Sequence, residues 1–191
     1  MTRKTANIIG NGKLENALSG VVDDAQFVMR FNKPNLPDDV SGSRTDMLML
    51  VASSNALHRR MIDPDFLQNA ALKSAQVLML AYPPEVWEAD GRIGPCRRLI
   101  SWGMLARKSV SSRRDFMRTA CGARYCGPRM RKVFPSIGFL DICYVLANFP
   151  ASEWDIKLCS SNWQGWKRHD WQNERAWVEE KIARGYIALL A

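Results

Sequence analysis

Residues 6–46, ANIIGNGKLENALSGVVDDAQFVMRFNKPNLPDDVSGSRTD, decide how this chain folds. The apolar run Ile8-Ile9 breaks into Gly10-Asn11-Gly12, and a helix-like segment follows from about Lys13 to Val21. A second apolar run, Phe27-Val28-Met29, ends in Arg30-Phe31-Asn32. After a proline-broken loop, Gly42-Ser43-Arg44-Thr45-Asp46 leads into a third run, Met47 to Val51. Strand, glycine turn, helix, strand is how a parallel α/β sheet begins. Ligands of such sheets bind beyond the carboxyl ends of the strands, which here carry Asn11 and Asn32. Gly10 and Gly12 allow a tight turn and close approach to the backbone. They do not complete a dinucleotide fingerprint, because Glu15 stands where G-x-G-x-x-G needs its third glycine. The turn is expected to present free amides at a helix start, which suit a phosphate or a carboxylate.

The same grammar continues downstream. Thr5 to Ile9, Gln26 to Arg30, Asp46 to Val51, Gln76 to Ala81 and Asp155 to Cys159 read as strands. Helices are expected from Ser53-Ser54 to Arg60, from Asp63 or Asp65 to Leu72, from Glu85 to Ala89, over 96–108 and 113–125, over Phe139 to Phe149, and from about His169 to Arg184. Ser136 stands where it can cap the apolar helix. Residues 160–166, SSNWQGW, read as a loop rich in donors and aromatic rings. The expected fold is α/β, a Rossmann-like three-layer sandwich with a mostly parallel sheet, in a single domain over 1–191.

Composition narrows the classes. A chain of 191 residues with 47% apolar content can bury a real core. It carries no apolar run of signal-peptide or membrane-span length, so the expectation is a cytoplasmic protein without a membrane span. The five cysteines, 96, 121, 126, 143 and 159, form no C-x-x-C and no metal-ligand pairing with histidine. Reduced thiols and no metal site are therefore expected. The net charge of +8 is concentrated. Between Arg92 and Lys132 stand twelve Lys and Arg against Asp115 alone, so this segment nets +11 and the rest −3. Such a segment favours an anionic partner, though solvated helix faces account for it equally well.

Two histidines are present. His58 sits beside Arg59-Arg60 and reads as a surface residue. His169 sits at a helix entrance, with Glu174 five places on. Residues five apart on a helix do not share a face, so the pair is a poor metal site. An imidazole near neutral pKa can nonetheless activate a hydroxyl. Asn32 has a plainer reading as a turn asparagine bonding local backbone.

Five pieces in this order resemble the sialyltransferases, glycosyltransferase family 29. I-I-G-N-G (8–12), V-M-R-F-N (28–32) and G-S-R-T-D (42–46) are similar to the long motif. P-S-I-G (135–138) is similar to the short motif, and H-x-x-x-x-E (169–174) to the very short motif. Ala6-Asn7 stand near where the animal enzymes carry a long-motif cysteine. The resemblance implies metal-independent, inverting transfer from a CMP-activated sugar to an acceptor hydroxyl, with no cofactor beyond that donor. It implies His169 as base with Glu174 as the second catalytic residue. It also implies donor-nucleotide contacts from Gly10, Asn11, Gly12, Arg30, Asn32, Ser136 and Gly138. The acceptor would be a glycan or another hydroxyl compound, anionic ones included. Short bacterial relatives carry the label urease-operon accessory protein, which reflects gene neighbourhood. Two alternatives stand beside transfer: a non-catalytic nucleotide-binding or accessory protein on the same fold, and a nucleic-acid binder using Arg92–Lys132, the weaker of the two. Oligomeric state is not legible.

Overall fold

The computed structural model describes residues 2–34, 37–51, 54–81, 97, 99–101, 103, 109–112 and 134–190. Its strands are β1 (Lys4–Ile9), β2 (Phe27–Phe31), β3 (Met47–Leu50), β4 (Val77–Leu80), β5 (Ser109–Ser112), β6 (Trp154–Cys159) and β7 (Ala188–Leu189). The helices with described bounds are α1 (Ser19–Asp23), α2 (Asp38–Ser41), α3 (Ser54–Ile62), α4 (Pro64–Gln68), α5 (Ala70–Ser74), α6 (Ile137–Asn148) and α7 (Trp171–Ala183).

The seven strands form one sheet in the order β5-β4-β3-β2-β1-β6-β7, and every pairing is parallel. The chain walks outward from β1 to β5 and then returns to place β6 on the other side of β1. The strand order therefore reverses between β1 and β6, which is where a doubly wound sheet opens a crevice.

Strand parity sorts the two faces. Phe27, Met29 and Phe31 of β2 look toward α6, which packs across β1, β2 and β3. The ring of Phe31 lies against Gly138, and that of Phe27 lies 4.7 Å from Phe149. On the opposite face Ile9, Val28 and Cys159 pack with Leu18, Val22 and Ala25 around α1. All four residues of β3 are buried, as a central parallel strand covered on both faces requires.

The five strands expected from sequence all form, each within a residue of its expected bounds. The first helix is shorter than expected, Ser19–Asp23 rather than 13–21. Its would-be first turns are tied elsewhere: Gly12 donates its amide to the Ser160 carbonyl, and Leu18 donates to Val40. The helix expected through Leu72 is two. Asn69 leaves helical geometry (ψ 130°) and caps α5 by accepting from Ala71 and Leu72. Asp63 caps α4 in the same manner through Asp65. β5 escapes a pattern search because S-V-S-S carries no apolar run, and β7 because it is only two residues long. The helices expected over 85–89 and 113–125 lie outside the described residues, as do most of 96–108, 92–132 and Cys96, Cys121 and Cys126. Cys143 and Cys159 are buried. Among the described residues no helix is long and apolar enough to cross a membrane.

Candidate active site

A cavity of about 330 Å³ opens at the carboxyl ends of β1, β2 and β6. Its size falls within the range of small-molecule sites. It is built from three kinds of wall: the strand ends, the start of α6, and the loop between β6 and α7.

The strand ends are fastened to one another. Gly10 donates to the Cys159 carbonyl (2.8 Å) and Gly12 to that of Ser160 (2.7 Å), while the Ser160 hydroxyl returns a bond to the Gly12 carbonyl. A Cβ on Gly12 would sit 2.6 Å from the Ser160 oxygen, and one on Gly10 would overlap the same carbonyl. Glycine is needed here for the approach of β6. The expectation of free amides thus fails for Gly10 and Gly12, whose N–H groups are bonded to backbone, and neither residue is part of the cavity lining.

Asn11 and Asn32 do line it. Asn11 donates Nδ2 to the Phe31 carbonyl at 3.3 Å, which ties the end of β1 to that of β2. Asn32 adopts a left-handed backbone (φ 56°), which asparagine tolerates better than most residues. Its Oδ1 accepts from Val51 N at 3.2 Å, so the turn reading holds as well as the placement at the cavity.

Arg30 is placed elsewhere. Its guanidinium is buried and donates to the carbonyls of Ser41 (2.6 Å), Gly42 (2.7 Å) and Arg44 (3.1 Å) and to the Ser41 hydroxyl. It fixes the loop behind β2 and is not part of the lining, because strand parity turns it to the α1 face. Arg44 likewise grips Asp46 and the carbonyls of Ala25 and Gln26.

The start of α6 contributes Ser136, Ile137 and Gly138. Ser136 is the N-cap, with Oγ accepting from Phe139 N at 3.1 Å. Beneath it lies the carboxylate of Glu174, fully buried. It accepts the Ser136 amide at 2.8 Å and the Ser136 hydroxyl at 2.6 Å. Glu174 therefore reaches the cavity through Ser136 and is not itself in the lining. A buried carboxylate is tolerable there because charge-assisted bonds and the positive end of a helix meet it.

His169 stands on the cavity. Its Nδ1 lies 2.8 Å from the Phe134 carbonyl. A carbonyl has no proton to give, so Nδ1 carries the hydrogen and Nε2 is left with its lone pair. Trp166 and Trp171 meet the imidazole edge-on at 5.1 and 4.9 Å. Burial among these rings holds its pKa below the ordinary histidine value, partly offset by the bond to Phe134. The structure thus gathers His169, Ser136, Gly138, Asn11 and Asn32 at one cavity and leaves Arg30, Gly10, Gly12 and Glu174 behind its walls. His58 is exposed on α3.

Sequence reasoning marked 160–166 as a loop rich in aromatic rings but put no tryptophan in the site. Trp163, Trp166 and Trp171 all line the cavity, the first two on a loop whose backbone turns sharply at Ser160 (φ 60°), Trp163 (φ 49°) and Gly165 (φ 138°), the third at the start of α7. The available signal was an aromatic at every third to fifth position from 163 to 171. Among the described residues the lining contains no lysine, arginine, aspartate or glutamate.

No family model matches the chain, and no curated protein matches it. Among solved structures it is similar to a mammalian sialyltransferase crystallised with Gal-beta-1-3GalNAc-ortho-nitrophenol. The identity is 15%, the TM-score 0.61, and the match covers 98% of this chain and 69% of that one. At that identity the likeness is one of fold. The chain has a Rossmann-like α/β fold of the sialyltransferase kind.

Proposed function

We propose that this protein is a glycosyltransferase that moves a sugar from a CMP-activated donor to an acceptor hydroxyl with inversion. The observation that carries the reading is the imidazole of His169, in the lining of the cavity at the sheet's switch point with its Nδ1 2.8 Å from the Phe134 carbonyl, an arrangement that leaves Nε2 to act as the base. Nε2 takes the acceptor's proton as the acceptor oxygen bonds to the anomeric carbon. The bond from that carbon to the phosphate oxygen breaks, and CMP leaves with the electron pair. Asn11 and Asn32 offer amide groups to the nucleotide, and the first turn of α6 at Ile137 and Gly138, held in place by Ser136, meets the phosphate. Trp166 and Trp171 offer apolar faces to an acceptor sugar, in keeping with the Gal-beta-1-3GalNAc compound held by the structural relative.

One observation favours a second reading, nucleotide binding without turnover. The described lining has no Lys or Arg to meet a departing phosphate. The accessory-protein label of short bacterial relatives belongs with this reading. The two separate in one experiment. CMP raises the melting temperature under both readings; at a hundred times its Kd the gain is about 2.7 kcal/mol. Only the transferase releases sugar from a CMP-sugar donor, and His169→Ala removes that release by roughly 10²–10⁴-fold while the CMP shift persists. Absence of any shift with CMP defeats both.

A further inference from the structure

We propose that Arg168 is a positioning residue for His169, acting through Phe134 to fix which imidazole nitrogen carries the proton. This rests on the reading of His169 as the base. The segment at 134 and the loop at 168–169 hold each other by a short reciprocal ladder. Phe134 N donates to the Arg168 carbonyl at 3.0 Å, and His169 Nδ1 donates to the Phe134 carbonyl at 2.8 Å. The side chains close the ladder from the outside. The Arg168 guanidinium lies 4.7 Å over the Phe134 ring and 5.3 Å from the ring centre of Trp166. The two rings lie 5.9 Å apart, only 27° from parallel. A planar cation suits such a pair of rings, since it meets their negative faces and stacks flat, which an ammonium cannot.

The consequence falls on the imidazole. In neutral histidine the proton sits on either nitrogen, and only a bond at one of them decides which. Here that bond is to the carbonyl of a residue whose ring is clamped by its neighbour in the loop. With the clamp removed, Phe134 can swing, the 2.8 Å bond lengthens, and Nε2–H becomes populated. An imidazole in that form has no lone pair facing the cavity. Trp166 gains from the same contact: it is 51% exposed yet carries the backbone oxygen that accepts from His169 N (3.0 Å) and from Trp171 Nε1 (3.2 Å).

The test reads the proton directly and needs no turnover. Protein labelled with ¹⁵N-histidine and carrying His58→Gln gives one imidazole, whose long-range ¹H–¹⁵N correlations distinguish a protonated nitrogen from a bare one. At a pH where the ring is neutral, the parent is expected to show two well-separated nitrogens with Nδ1 protonated. In Arg168→Ala the separation is expected to collapse toward the average. Phe134→Leu keeps the carbonyl but removes the ring, and the same collapse is expected; it decides the matter if the alanine variant does not fold. Retention of the parent pattern in a folded variant overturns the proposal. A collapsed pattern in a protein with no donor turnover upholds it and removes the reading of the base instead.

Discussion

At the scale of residues, one histidine and one glutamate divide the labour that a pattern search assigns to both. His169 faces the cavity in a neutral, oriented form. Its depressed pKa means that protonation, and loss of the base, comes at lower pH than for an exposed imidazole. The acid limb of the donor-release rate should therefore have its midpoint below about 6.5, the ordinary histidine value. A midpoint above 7 would mean that the ring is solvated or paired with a carboxylate. The same depression links to folding: the unfolded chain binds the proton more tightly, so this contribution to stability is present above about pH 6.5 and is lost as pH falls through it. Glu174 works one layer down. Glu174→Gln puts an NH₂ where one of two Ser136 donors now finds an oxygen. That mismatch should cost on the order of 1–3 kcal/mol, read as a shift in urea midpoint at constant slope. An unchanged midpoint would show that Ser136 does not depend on the carboxylate.

At the scale of elements, α6 both builds the site and carries an anomaly. It packs across three strands, its first turn lines the cavity, and its interior holds Asp141, fully buried with neither carboxyl oxygen hydrogen-bonded among the described residues. Desolvation pushes the pKa of that carboxyl well above the usual range. A raised folded pKa contributes stability at pH below the unfolded value, and that contribution drains away as pH rises. Between the two values the loss is about 1.4 kcal/mol per pH unit. Asp141→Asn removes the titration, so its stability relative to the parent should rise from pH 5 to pH 7. A parallel pair of stability–pH curves would place Asp141 in contact with water or a partner. The elements also show what a sequence can reveal. β3 and β4 were legible as unbroken apolar runs, β1 and β2 through the shorter runs Ile8-Ile9 and Phe27-Val28-Met29, and β6 through its alternation of apolar with charged residues. α6 was legible because Ser136 announces its cap. The short α1 was not, because the bonds that hold residues 12 and 18 come from Ser160 and Val40, far along the chain. The site was legible in part for the same reason. Asn11, Asn32, Ser136 and His169 carry local signals, whereas the placements of Arg30 and Glu174 depend on strand parity and on a burial partner 38 residues away.

At the scale of the molecule, strand order puts the walls of the cavity at one end of the sheet. Binding of CMP should slow amide exchange at 10–12, 31–32, 136–139 and 160–171, and leave α4 and α5, whose residues are absent from the cavity lining, unchanged. Protection confined to α4 and α5 would move the binding site away from the switch point. The mutual fastening of Gly10, Gly12 and Ser160 has a temporal side. Two ends of the polypeptide, 148 residues apart, must meet before the floor exists, and such distant closures slow folding. A ribosome has to deliver the sixth strand before the first glycine turn has anything to lean on. Fragments ending short of residue 160 should therefore be blind to nucleotide, however well their early strands pair.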